Sequence, residues 1–227
     1  MSRIETLIDA LRRFYGQLPT PPRDPFGVFV WEVLSVRSTP RQRDAAFRAL
    51  KKIRALTPDA MWRTPQKPLE ESVALAGPYA EQRVGALRTG ADRFRRSPRL
   101  TQLIRGPLPS ARRALRGLPG IDQGGAHRML LFAADQCVLP VDASVCRVAR
   151  RLGYGDSTGP AGKAARSVRN ALQLEIGSDV AACRRTFLYL SHHGASTCLE
   201  RDPHCAICPL REACAYGRKK LSIADGR

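Results

Sequence analysis

Near the end of this 227-residue chain stand four cysteines, Cys198, Cys205, Cys208 and Cys214, spaced C-x6-C-x2-C-x5-C in CLERDPHCAICPLREAC. Thiolates this close in sequence can converge on one metal centre. Disulfides are disfavoured in a reducing compartment, and a four-cysteine zinc site commonly shows two short Cys pairs where this segment has one. A [4Fe–4S] cluster suits the same donor set, so on chemistry alone both metal readings stay open. Cys137, Cys146 and Cys183 fall in apolar or helical settings and read as core residues. His204 reads as a neighbour of the metal loop.

Two carboxylates sit where ordinary packing does not ask for them. Glu32 interrupts a segment that is apolar nearly all round, with Phe26, Val28, Phe29, Val30, Trp31, Val33 and Leu34 about it. Such a group is costly unless paired, hydrogen-bonded or protonated, and desolvation raises its pKa. It reads either as half of a buried ion pair or as a proton donor. Asp142 follows Leu139-Pro140-Val141 and precedes the amphipathic run 143–152, the place of a helix N-cap. Between them lies Gly117-Leu118-Pro119-Gly120-Ile121-Asp122-Gln123-Gly124-Gly125. A helix capped by Ser110 is expected to run to Arg116 and stop at this stretch. Gly120, Gly124 and Gly125 then allow a sharp turn into a second helix over 125–136. That helix start, with its N–H groups exposed, suits an anion such as a backbone phosphate.

The elements that must carry these residues are helical. Apolar spacing predicts helices over 4–15, 25–36, 41–53, 68–76, 80–94, 100–104, 143–152, 164–176 and 179–191, with no convincing period-two strand, hence an all-α fold. The stretch 153–163 reads as the least structured. Lysine and arginine total 38 against 20 acidic residues, a net charge of +18 with a pI near 10.6. A solvated basic surface is the plain reading, but basic pairs recur along the whole chain, and nucleic acid is the expected polyanion. A membrane surface fits less well, because the charge is not gathered on one amphipathic helix. The charged start and the lack of a long apolar run argue against a signal peptide or a membrane span, so a cytoplasmic location is expected.

The order Leu118-Pro119-Gly120, hairpin, Pro140-Val141-Asp142 resembles the helix-hairpin-helix and Gly/Pro-rich-loop-Asp signature of the DNA glycosylase superfamily that includes endonuclease III. In that family the aspartate both caps its helix and supports loss of the base. The 6-2-5 cysteine spacing matches the family's iron–sulfur loop, which implies a [4Fe–4S] cluster on Cys198, Cys205, Cys208 and Cys214. The segment around Glu32 looks like the helix that carries the general-acid glutamate in adenine-mismatch glycosylases; endonuclease III is not acidic there. Residues 35–39 resemble a loop that fills the gap left by an extruded base, with Arg37 in place of glutamine. Residues 75–79 with Arg83 resemble a turn that approaches the DNA backbone. The resemblance spans 24–216 and implies two helical lobes with double-stranded DNA in the cleft between them. One is a helical barrel domain with the helix-hairpin-helix over 22–136. The other is an iron–sulfur cluster domain of 1–21 plus 137–216, followed by a basic tail over 217–227.

The hairpin departs from the family pattern. Asp122 stands at the second glycine of LPGVG, and Gly124 stands where bifunctional relatives keep a Schiff-base lysine. The chain has six lysines, none between 68 and 162. The resemblance therefore implies a monofunctional DNA glycosylase of base excision repair, a nucleoid-associated monomer on duplex DNA. Glu32 would protonate or orient the leaving base and Asp142 would stabilise positive charge developing on the sugar. Gly120, Asp122, Gly124, Gly125, Arg37 and Arg83 would meet DNA, although the charge of Asp122 should weaken that grip. The alternatives are a catalytically silent DNA-binding protein of the same fold and a basic cluster protein of redox traffic.

Overall fold

The computed structural model describes residues 2–156 and 160–225. Helix α1 (Arg3–Tyr15) starts in a capping box, in which the Ser2 hydroxyl accepts from the Glu5 amide and the Glu5 carboxylate accepts from the Ser2 amide. Helix α2 (Pro25–Ser35) starts at Asp24 with proline at its first position, and α3 (Pro40–Lys52) starts at Thr39 in the same manner. There follow α4 (Pro58–Arg63), α5 (Gln66–Ala74), α6 (Ala80–Arg96), α7 (Leu100–Arg105), α8 (Leu108–Leu115), α9 (Gln123–Ala133), α10 (Ala143–Arg151), α11 (Ala161–Ile176) and α12 (Val180–Ser196). Two short 3-10 turns, Cys205–Ile207 and Arg211–Ala213, lead to α13 (Ala215–Asp225). Among the described residues there is no strand, and the fold is all-α.

The differences from the sequence expectations have local causes. Helix α4 has six residues, too few to show an apolar period. Ser110 does not cap α8: the helix begins at Leu108, with Pro109 in its first turn, and the Ser110 hydroxyl donates to the Pro107 carbonyl at 2.7 Å. Proline pre-sets the helical φ, so the turn closes ahead of the serine. Helix α9 begins at Gln123 rather than 125 because the Asp122 side chain caps it. It ends at Ala133, and Asp135 takes a left-handed φ of 52°. Helix α12 runs on to Ser196, and helix α13 covers most of the stretch expected as a tail. Within the stretch 153–163, α11 already starts at Ala161; residues 157–159 lie outside the described residues, as do 226–227 of the expected tail.

The chain forms two compact units, Pro21–Gln136 and Met1–Thr20 with Cys137–Arg227. In the first, α2 is the central element and packs against α3, α6, α7 and α9. Its apolar faces are buried all round, as the sequence expects, and the Phe26, Phe29 and Phe94 rings pack with centroids 5.3 to 6.0 Å apart. Each such side chain contributes roughly 1.5–3 kcal/mol of transfer free energy. In the second unit, α12 packs on α10 and α1. Gly194 makes the α10 crossing possible, since a Cβ there would lie 2.7 Å from the Cβ of Ser144. Among the described residues no helix is long and apolar enough to cross a membrane.

Candidate active site and metal loop

The hairpin is a short, hydrogen-bonded turn. The amide of Leu118 donates to Leu115 and that of Ile121 to Leu118, and Gly120 holds φ at +73°, which favours glycine. Asp122 is exposed, and its carboxylate accepts the Gly125 amide at 2.7 Å. The expected open anion site at the start of α9 is therefore already occupied in part by a carboxylate of the chain itself. Gly124 is half-buried and supplies no amine.

Glu32 lies beneath this hairpin, 4% exposed. Arg128, on α9, holds it through Nη2 at 2.6 Å and through Nε at 2.9 and 2.8 Å to its two oxygens. An ideal Cβ on Gly125 would be 3.3 Å from the Glu32 Oε2, so the glycine lets the start of α9 rest against the carboxyl group. Burial pushes the Glu32 carboxyl above its ordinary 4.5; Arg128 opposes this, Asp122 adds to it and Arg43 opposes it. The ion-pair reading of Glu32 is thus realised in the fold, with Arg128 as the partner.

Arg37 and Tyr79 form a second feature of this unit. Both are exposed with left-handed backbones, φ 48° and 73°. The Arg37 Nη1 donates to the Tyr79 hydroxyl at 2.8 Å, and its guanidinium lies 5.3 Å from the ring centroid. They border a groove of about 370 Å³ that Val33, Val36, Ala86 and Gly120 also line. Arg83 does not face outward as a direct DNA contact would require. It is 4% exposed, and its guanidinium donates to the carbonyls of Val36 at 2.5 Å, Gly77 at 3.1 Å and Pro78. Burial lowers its pKa, and its Nε has no hydrogen-bond partner among the described residues. Arg83 therefore ties together the two loops that present Arg37 and Tyr79. Tyr79 was not singled out by sequence reasoning: the Gly77-Pro78 turn was legible, but the strained φ that presents the ring was not.

In the other unit Asp142 caps α10 as expected. Its Oδ1 accepts the Val145 amide and its Oδ2 the Ser191 hydroxyl, each at 2.8 Å. Ser191, on α12, was not singled out by sequence reasoning, because only the α10–α12 crossing brings it to Asp142. Asp142 borders a groove of about 1020 Å³ lined also by Arg3, Arg147, Arg150 and Arg218. Such a lining draws polyanions.

The four cysteines surround one small apolar cavity together with His193, Leu210 and Arg151. Donors already point at their sulfurs: Arg151 Nη1 lies 3.1 Å from Cys198, the Gly217 amide 3.3 Å from Cys214 and His193 Nε2 3.6 Å from Cys208. Burial pushes the Cys208 thiol up to about 11; the Leu210 amide opposes this and the neighbouring thiols add to it. Four thiolates so placed need a cationic centre among them. Among the described residues no group of three or more His, Cys, Asp or Glu side chains is arranged to hold a metal ion. Thiols set around a shared cavity with N–H donors behind them fit an iron–sulfur cluster. Of the other cysteines Cys183 is buried, whereas Cys137 and Cys146 are half-buried rather than core residues. Arg211 on the loop and Arg218 on α13 are exposed, and the exposed His204 lines the same cavity.

No family model matches the chain. Over 217 residues it is 25% identical to endonuclease III of Haemophilus influenzae, covering 93% of this chain and 96% of that protein. Among solved structures it resembles a non-covalent endonuclease III–DNA complex, with a TM-score of 0.72 at 22% identity and 97% of each chain covered. It also resembles a thermostable thymine-DNA glycosylase, with a TM-score of 0.64 at 20% identity over 95% of this chain and 97% of the other. These two structures share the fold.

Proposed function

We propose that this chain is a monofunctional DNA glycosylase of the helix-hairpin-helix superfamily, acting in base excision repair, that hydrolyses the N-glycosidic bond of a damaged or mispaired base in duplex DNA. The observation that carries this reading is Asp142, fixed at the start of α10 with one oxygen on the Val145 amide and the other on the Ser191 hydroxyl. Each carboxylate oxygen keeps a further lone pair, so the group can still act electrostatically on positive charge developing at the sugar. Glu32, raised by burial and aligned by Arg128, is the group that protonates or orients the departing base. The Arg37–Tyr79 pair presents a planar cation stacked with a ring, suited to the space left by an extruded base. The basic groove beside Asp142 suits the phosphates, and the cysteine loop suits a [4Fe–4S] cluster, which supplies a rigid cationic anchor for that loop. The protein would act as a monomer on nucleoid DNA.

Strand cleavage is not part of this reading. A Schiff base needs an amine that can lose its proton, which arginine effectively cannot do. Gly124 takes the place of the amine, and no lysine lies between 68 and 162. Assay over a panel of damaged and mismatched duplexes should yield an abasic strand that stays intact until alkali is added. Borohydride trapping of a covalent adduct, lost on replacing one lysine, would sink the monofunctional reading. A catalytically silent DNA-binding protein is the second reading, and the Glu32–Arg128 ion pair favours it, since it gives the buried carboxylate a structural duty. Duplex binding that weakens steeply with salt, with no base excised from any member of the panel, would establish it.

A further inference from the structure

A chain of hydrogen bonds runs from the cysteine loop into α1. The His193 Nε2 lies 3.6 Å from the Cys208 sulfur, its Nδ1 is 2.7 Å from the Tyr15 hydroxyl, and that hydroxyl is 2.6 Å from the Thr197 Oγ1. The Ser196 hydroxyl lies 3.3 Å from the Tyr15 oxygen, with its own proton on the His192 carbonyl at 2.8 Å. A metal-bound thiolate can only accept, so Nε2 must carry the proton. Nδ1 then accepts from Tyr15, and the Tyr15 oxygen in turn accepts from Thr197. One polarity satisfies every member. The imidazole is 1% exposed and the chain is packed by α1 and α12, so the geometry is held rigidly.

Resting on the cluster reading above, we propose that Tyr15 and His193 are positioning residues that set the reduction potential of the cluster by directing an N–H donor at the Cys208 sulfur. A hydrogen bond to a ligand sulfur stabilises the state with more negative charge, which is the reduced one. Tyr15 strengthens that donor by fixing the tautomer and ring orientation. The electron in the measured couple comes from the electrode, and no bond is made or broken in the protein. The device joins two segments far apart in sequence, and it treats Cys208 differently from Cys198, whose sulfur faces a guanidinium instead.

The test is the potential of the holoprotein measured by protein-film voltammetry, with iron and sulfide counted in each sample. His193→Leu should make reduction about tenfold less favourable, a shift of about 59 mV to more negative potential for a one-electron couple. His193→Gln, which keeps an N–H donor, should recover part of the shift. Tyr15→Phe should move the potential in the same direction by about threefold, and it serves as the deciding variant if His193→Leu fails to load a cluster. A fully loaded His193→Leu protein within twofold of the parent, or a Tyr15→Phe protein shifted to more positive potential, overturns the inference alone. Parent protein purified anaerobically without iron and sulfide overturns the cluster reading and this inference together.

Discussion

Helices α9 and α10 begin in the same way and end up with different chemistry. Each starts after an aspartate whose carboxylate accepts the amide three residues on, Asp122 from Gly125 at 2.7 Å and Asp142 from Val145 at 2.8 Å. A cap contributes about 1 kcal/mol to either helix. At α10 the second carboxylate oxygen is claimed by Ser191, on a different helix, and a groove with several arginines lies alongside. At α9 the carboxylate faces solvent on one side, and on the other adds to the proton affinity of buried Glu32. Under the proposed function, the same residue at the same helix position is a structural cap in one case and an oriented reactive group in the other. What distinguishes them is the neighbours supplied by other helices.

The comparison breaks most sharply at Asp142. Asp142→Asn keeps an oxygen for the Val145 amide, so thermal stability should hold while single-turnover excision falls by about 10³-fold. Retained activity would reduce Asp142 to the status of Asp122. Glu32→Gln comes next, with excision expected to fall by about 10²-fold. The stability of this variant against the parent also tests whether burial or Arg128 decides the charge of Glu32. Its pH dependence has a definite sign. Burial raises the folded pKa of Glu32 above 4.5, so the folded chain holds a proton that the unfolded chain releases. The stability it contributes is complete below 4.5 and is lost as pH rises through the raised value. The difference in melting temperature between parent and Glu32→Gln should therefore shrink from pH 4.5 upward, and a growing difference would show that the Arg128 attraction outweighs burial.

Smaller effects sharpen the contrast. Ser191→Ala leaves the cap in place but frees the second oxygen of Asp142, and excision should drop about tenfold with duplex affinity unchanged. Loss of affinity in parallel would mean that Ser191 supports the groove rather than the carboxylate. Asp122→Asn keeps the α9 cap and removes its charge, so duplex affinity at low salt should rise by about two- to fivefold. Unchanged affinity at every salt concentration would place the hairpin away from the phosphates.

Much of this protein could be read without coordinates. Helix periods, proline and glycine stops and the cysteine spacing pointed to an all-α chain with a hairpin, a helix-capping aspartate and a four-cysteine loop, because each is local and depends on residues a few positions apart. Composition alone accounts for the missing amine. Other features were decided only when distant segments packed. Arg128 meets Glu32 across 96 positions, Ser191 meets Asp142 across 49 and Tyr15 meets His193 across 178. Arg83 shows the limit most plainly: its sequence position suggested a contact with DNA, yet burial turned the guanidinium inward onto the carbonyls of Val36, Gly77 and Pro78. The sequence by itself determined the helices, the charge and the residues able to do chemistry. The tertiary structure alone decided which of them are paired, aimed or buried, because desolvation and hydrogen-bond geometry exist only after remote helices have closed on one another.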